Sequence, residues 1–514
     1  MGKACLRLRW GWAGGGLAAM AAVVVGVLIG DASGLHAQMA DVQMAGGQIP
    51  AGLAAGARGL DFTAREVNPV VFWLQADHYC SPYPGGVVQA GEARYIGDVG
   101  RGRPVAVKAV PVLLADSGPV GAATGSVGDG SAAGLQGITG MWAEKRSQCD
   151  LGRQQVDFYD SVWRDSIRFE ALVNYRRVFG PTLRGVVSME PYAVDDGVVS
   201  AAMTTMLTED SMKTLGAQND DIMWWALAFL RAYEANRTHT AYLTAAKEVF
   251  ARVHASPEQA VCGGGVMWGD GTNYKNAITN ALYLLLAARL GALSAGGSPE
   301  RQLYVTTAVA QAKWLMDRSN LLADGGVLLD GVHYKGDTCN AKPDGLDVWT
   351  YSQGVAIDGL AELTALTGDR SYADEAQHML LRVLDPKQTP ALVNAQGVLM
   401  ESADAGRNPS EDAETFKGLL VRHVGYALGA FAAADAKRYA PAIDAGRSLL
   451  MTSANTLWAN RVIHGDRVDL PFDWAQASGS ASAADPRDPV DMRSTASGLN
   501  LLNAAWGAAA GSSR

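Results

Sequence analysis

Two adjacent carboxylates, Asp220 and Asp221, stand at the mouth of an apolar run from Trp224 to Tyr233 that is hydrophobic on every side. Such a run reads as a buried helix, not a surface one. Asn219 before the pair, and acids in a first turn, would satisfy helix capping and the helix dipole. One acid is enough for that task. Two acids can also divide the work of breaking a glycosidic bond, one attacking the sugar and one handling the proton. Neighbouring helical residues point about 100° apart, so the side chains can diverge around one sugar carbon. Each carboxylate still feels the other's charge, which raises one pKa and leaves the other low.

The connecting segments that follow concentrate polar and aromatic residues. Cys262-Gly263-Gly264-Gly265-Val266-Met267-Trp268 lets backbone approach closely and then presents an indole. It lacks the Lys-Ser/Thr ending and the preceding strand of a phosphate loop. Asn276 and Asn280 lie one helical turn apart, and Asp330, Tyr351, Gln353, Lys417 and Arg422 come at later loop-to-helix junctions. Rings offer apolar faces to the C–H face of a sugar, while amides and charged groups take its hydroxyls. Trp268, Asn276, Asn280, Asp330, Tyr351, Gln353, Lys417 and Arg422 are therefore the candidate substrate-binding residues. Taken singly, each also has a reading as core, cap or solvated face. Proton transfer and carboxylate attack need neither a metal nor an organic cofactor.

Helices must position these residues. Val156, Tyr159, Trp163, Ile167, Ala171 and Tyr175 recur at helical spacing over Arg153 to Phe179. Amphipathic segments then follow one another, from Tyr242 to Val253 through to Ala496 to Ala509, with little strand alternation. Tyr242, Tyr304, Tyr372 and Tyr439 recur near helix starts, and Ala246, Ala308 and Ala376 follow the first three at helical spacing. One interval fits a helix out and a helix back. Hairpins in series bury their inner faces best by curling into a toroid, with apolar helices inside and amphipathic ones outside. The region from residue 151 to 511 is thus expected to be an all-α toroid, with its active site on loops feeding the inner helices.

Residues 38–150 are irregular. Val70-Val71-Phe72-Trp73 and the alternation from Val105 to Leu114 predict short strands, and Asp116 to Gly140 is a Gly/Ala/Ser-rich run expected as loop. Trp73, Tyr79 and Tyr83 either serve a sugar surface or pin this extension to its neighbour. Ahead of it, Lys3, Arg7 and Arg9 precede an apolar segment from Leu17 to Gly30 and then Leu35-His36-Ala37. That order predicts a secretory signal peptide over residues 1–37 and a secreted or periplasmic product with no remaining membrane span. Removal of Cys5 with the signal leaves Cys80, Cys149, Cys262 and Cys339, compatible with two bridges in any of three pairings or with buried free thiols. Their spacing carries no metal signature. A hydrophobic content of 48% and a formal net charge of -9 describe an ordinary globular chain without the basic face that nucleic acid requires.

The segments NDDIMWWALAFLRAYE, CGGGVMW, KNAITN, TYSQG and FKGLLVR, in this order, resemble glycoside hydrolase family 76, the endo-α-1,6-mannanases, and related fungal wall transglycosidases. The likeness covers about Leu151 to Ala509. It implies an (α/α)6 barrel that hydrolyses α-1,6-mannosidic bonds with retention; the expected partner is an α-mannan polymer or oligosaccharide, and the chain is expected to be a monomer. In the family's order Asp220 is the nucleophile and Asp221 the acid/base. Ser352 in TYSQG stands where the family pattern has Asn, which bears on subsite contacts. A magnesium-binding isoprenoid cyclase fits less well, because Trp224 occupies the place of the third acid in a DDxxD box. A transglycosidase using the same intermediate, and an envelope protein that binds glycans without cutting them, are the alternatives.

Overall fold

The computed structural model describes residues 162–179, 218–238, 240–256, 261–323, 326–335, 338–339, 347–401, 412–464, 467–475 and 492–511, with short pieces at 59–62, 67, 70, 96–97 and 104–105. The expected signal at 1–37, the Gly/Ala/Ser-rich run, Trp73, Tyr79, Tyr83, Cys80 and Cys149 lie outside the described residues.

The described chain is mostly helical: α1 (Val162–Phe179), α2 (Asn219–Ala235), α3 (Thr240–His254), α4 (Ala277–Leu293), α5 (Pro299–Lys313), α6 (Thr350–Thr367), α7 (Ser371–Val383), α8 (Ala413–Asp435), α9 (Ala440–Ala459) and α10 (Met492–Ala510). α1 packs on α2, α2 on α4, α4 on α6, α6 on α8 and α8 on α10, and α10 returns to α1. Six helices therefore close a ring. α3, α5, α7 and α9 pack from outside on α2, α4, α6 and α8. Each outer helix brings the chain back, so the N-termini of the inner helices gather at one end.

Sequence dictates which helix goes where. α4 is buried without a break from Ala277 to Gly291 and α2 from Ile222 to Ala232, as only a helix surrounded by others can be. α7 instead buries a single stripe, Tyr372, Ala373, Ala376, Met379, Leu380 and Val383. The recurring tyrosines mark the outer helices: Tyr242, Tyr304 and Tyr372 lie early in α3, α5 and α7, Tyr439 precedes α9, and all four are buried. Between α8 and α10 the backbones nearly touch. A Cβ on Gly418 would fall 2.5 Å from Ser497 Cα, so no larger residue fits there without parting the helices.

Strands are short and confined to the loops. β1 (Ile96–Gly97) pairs with β2 (Pro104–Val105), and β4 (Leu322–Ala323) with β5 (Val327–Leu328). β3 (Tyr274–Asn276), β6 (Gly331–Lys335) and β7 (Thr338–Cys339) form one antiparallel sheet in which Tyr274 faces His333 and Asn276 faces Gly331. β8 (Val462–His464) pairs with β9 (Arg467–Asp469). The strand expected from Val70 is corrected at its first residue, since Val67 and Val70 are helical and fully buried. Residues 59–62 dock on the ring. Phe62 packs 5.3 Å from the Trp458 ring, and Asn455 bonds the backbone of both Gly59 and Asp61. No described helix is long and apolar enough to cross a membrane.

Candidate active site

At the start of α2 the chain is bound to the glycine loop. Asn219 donates its backbone N–H to the Trp268 carbonyl at 2.8 Å and its side-chain amide to the Met267 carbonyl at 3.0 Å. Asp221 Oδ2 accepts the Gln218 N–H at 2.5 Å, so one member of the pair does cap the helix. Asp220 meets a first-turn donor as well. Its Oδ1 accepts the Asp221 N–H at 3.2 Å, and the Trp268 indole also donates to its carboxylate.

Both carboxylates are half-buried. Burial, and next the charge of Asp221, push Asp220 well above the usual carboxylate range. Asp221 is pushed up to about 7, chiefly by burial. The Gln218 N–H pulls it down, the Asp412 charge raises it and Arg164 lowers it. Arg164 and Asp412 are themselves paired at 3.1 Å. Burial opposes ionisation of both acids, and their proximity opposes ionising the two together.

A buried cation builds the loop that brings in Trp268. Lys275, with no exposed surface, donates to the carbonyls of Val261, Gly264 and Gly265 at 2.6, 2.7 and 3.1 Å. Gly265 adopts φ +78°, and a Cβ there would come within 2.6 Å of the Trp314 ring. Trp314 opens a π-helical turn, Trp314–Arg318, that continues α5, and its indole donates to the Cys262 carbonyl at 3.0 Å. Cys262 is disulfide-bonded, which removes it from the free-thiol alternative, and β7 with Cys339 packs on the short 3-10 turn Val261–Gly263 that carries Cys262. Trp268 at the end of the loop is 37% exposed.

Five of the residues expected to bind substrate are buried and held by bonds within the protein. Asn280 bonds the Val266 backbone twice, accepting its N–H at 2.8 Å and donating to its carbonyl at 3.0 Å. Gln353 grips Leu328 in the same way, with both bonds at 2.8 Å. Lys417 donates to the Phe472 carbonyl at 2.7 Å. Asn276 caps α4 by accepting the Thr279 N–H at 3.2 Å. Arg422 is enclosed by the ring, 3.3 Å from Glu170 Oε2. These side chains have almost no surface to offer a sugar. The first four hold the loops instead.

Trp268, Asp330 and Tyr351 keep accessible surface. Burial, followed by the charges of Asp330, Asp220, Asp412 and Glu401, drives the Tyr351 phenol well above its ordinary range, so it is a neutral hydroxyl within reach of the acids' field. Asp330 accepts the Tyr274 hydroxyl and is raised by burial. The Tyr351 ring stacks on Phe416 with centroids 3.9 Å apart and planes at 10°. Phe416 in turn meets Trp163 and Trp349, and Trp163 stacks on Trp224. Trp163, Trp349, Phe416, Glu401 and Asp412 escape the sequence-based site list. Phe416 adjoins Lys417 and Trp349 lies two residues before Tyr351, a usable signal. Glu401 had none, for it reaches Thr350 from 51 residues away, accepting its backbone N–H at 3.4 Å and its hydroxyl. Among the described residues no cluster of His, Cys, Asp and Glu is arranged to hold a metal ion.

The family model for glycosyl hydrolase family 76 matches residues 128–507. The mannan endo-1,6-alpha-mannosidase DFG5 of Candida albicans is 32% identical over 309 residues, covering 55% of this chain and 66% of that protein. The mannan endo-1,6-alpha-mannosidase DCW1 of Saccharomyces cerevisiae is 28% identical over 220 residues, or 40% of this chain and 45% of the relative. The chain spans about half to two thirds of the length of the curated relatives it matches. In fold it is similar to GH76A, an alpha-1,6-mannanase of Salegentibacter sp. HEL1_6, solved as an inactive variant with two consecutive aspartates replaced by alanine and alpha-1,6-mannotetrose bound. That likeness has a TM-score of 0.51 at 20% identity and covers 68% of this chain and 91% of the other.

Proposed function

The chain belongs to glycosyl hydrolase family 76, and on that premise we propose that it is a retaining glycosidase, built on an (α/α)6 barrel, that cleaves α-1,6-linked mannan. The observation that carries this reading is the Asp220–Asp221 pair, half-buried and raised in pKa at the inner end of a glycine loop. The named substrates of the similar proteins supply the sugar.

Asp220 is the nucleophile in this scheme. The Asp221 N–H and the Trp268 indole N–H both point at its carboxylate and favour its anion, whereas Asp221 receives one backbone N–H. Asp220 attacks the anomeric carbon as Asp221 gives its proton to the departing sugar oxygen, and a mannosyl ester forms. Esterification removes the charge of Asp220, so Asp221 becomes more acidic and draws a proton from the incoming water. Water attack then releases a product of the starting anomeric configuration. The half-buried Trp163, Trp349 and Tyr351, backed by the buried Phe416, give the sugar ring an apolar face to lie on, and the exposed Trp268 offers another. Residues 1–37 are the export signal in this reading, and the mature chain works as a monomer outside the cytoplasm.

The test is product sizing with the mature chain on linear α-1,6-mannan, branched mannan and α-1,6-glucan, with and without an added mannooligosaccharide acceptor. Shorter mannans with new reducing ends are expected from the first two, and no product from the glucan. Elongated acceptor without new reducing ends would replace hydrolysis by sugar transfer through the same ester. Binding without any new product would overturn the enzymatic reading.

A further inference from the structure

Inside the ring, away from the aspartates, Asn174, Arg231, Arg422, Tyr426, Asn500 and Asn503 line a cavity of about 30 Å³. Arg231 lies ten residues beyond Asp221 on α2, roughly 15 Å along the helix axis. Guanidinium groups dominate this region. Glu234 is within 3.2, 3.3 and 2.8 Å of Arg177, Arg231 and Arg289. Glu170 faces Arg422 at 3.3 Å and accepts the Tyr426 hydroxyl at 2.9 Å. Asp358 pairs with His423 at 2.8 Å. Burial, and then Arg422, drive His423 well below its ordinary pKa, so it adds no charge of its own. Four arginines therefore stand against three carboxylates.

The hydrogen-bonding ledger is incomplete in the same place. Arg422 is 2% exposed, and none of its three guanidinium nitrogens makes a hydrogen bond, because the Glu170 contact is charge without alignment. The Oδ1 atoms of Asn500 and Asn503 also lack donors, while their amide groups are used on Ala496 and Ala171. A water needs roughly 10–15 Å³ of such space, so two water-sized occupants fit. Two waters would meet the hydrogen-bonding demand and leave the surplus charge. One small anion and one water meet both.

We propose that this cavity is a binding site for one monovalent anion of chloride size, held by Arg422 beside Arg231 and joined through one water to Asn500 and Asn503. It is a stabilising site within the ring, independent of the reaction at Asp220 and Asp221.

The test uses bromide as the probe. Crystals of the mature protein grown in sodium bromide should show an anomalous peak within hydrogen-bonding reach of Arg422. The thermal unfolding midpoint should rise with sodium bromide and saturate, with no such rise in sodium gluconate at equal ionic strength. Asn500→Asp, which places a carboxylate in the cavity, should remove the bromide dependence. A cavity holding only water at saturating bromide, or equal midpoints in the two salts, would overturn the proposal, and the crystal measurement decides alone if the variant fails to fold.

Discussion

Asp412 is exposed, yet its charge is among the causes that raise Asp221, the proposed proton donor, with Arg164 pulling the other way. A protonated Asp221 is what the proposed first step consumes, so kcat/KM should fall as pH rises through about 7. Asp412→Asn removes a raising charge and should move that alkaline limb to lower pH. The displacement should shrink on adding salt, because the side chain is open to solvent. Steady-state rates on a mannooligosaccharide between pH 5 and 9 check this, and a limb that stays put would show that Asp412 does not tune the pair. The adjacency of Asp220 and Asp221 is plain in the sequence. Their different surroundings are not, because Trp268, Arg164 and Asp412 arrive from three separate parts of the chain.

At the scale of elements, the inner helices carry their loop clamps near their N-termini. Asn280 in α4 holds Val266, Gln353 in α6 holds Leu328 and Lys417 in α8 holds Phe472, across 14, 25 and 55 residues. Sequence reading locates these polar residues at loop-to-helix junctions and expects sugar as their partner, whereas in the structure each bonds backbone. The reason is physical. An amide suits a hydroxyl and a peptide group equally well, and only burial separates the two uses. Helix existence was far easier to read, since an apolar segment as long as Ala277 to Leu293 in α4 exceeds the length of a buried strand. Asn280→Ala strands the Val266 N–H and carbonyl without water. It should cost about 1–3 kcal/mol and slacken the loop that presents Trp268, so that kcat/KM falls with the stability. Urea unfolding with rates on α-1,6-mannan measures both, and unchanged values for both would refute the clamp.

For the molecule as a whole, the ring is tied internally by the cluster around Glu234. Burial alone would raise this carboxyl, but Arg289, Arg231 and Arg177 overrule it and hold the pKa at about 2. A depressed acid contributes stability that is fully present above its unfolded value near 4.5 and is lost as pH falls towards 2. Glu234→Gln should therefore destabilise the protein by roughly 3 kcal/mol at pH 7, with the deficit closing as pH falls from 4.5 to 2. Unfolding curves across that range decide it, and a deficit independent of pH would assign the loss to packing instead. A closed toroid was foreseeable from helical hairpins in series, and its six-fold count only from the family resemblance. The arginine-rich interior was not, because Glu170, Arg231, Glu234, Arg289 and Arg422 sit on four different helices.

The central claim is that Asp220 and Asp221 act together on one sugar. Reducing-end release from linear α-1,6-mannan by Asp220→Asn and Asp221→Asn, each compared with the parent at equal helical content, tests it most directly. Both variants should lose activity by roughly 10²–10⁴-fold or more, whereas parental rates from either one would contradict the assignment.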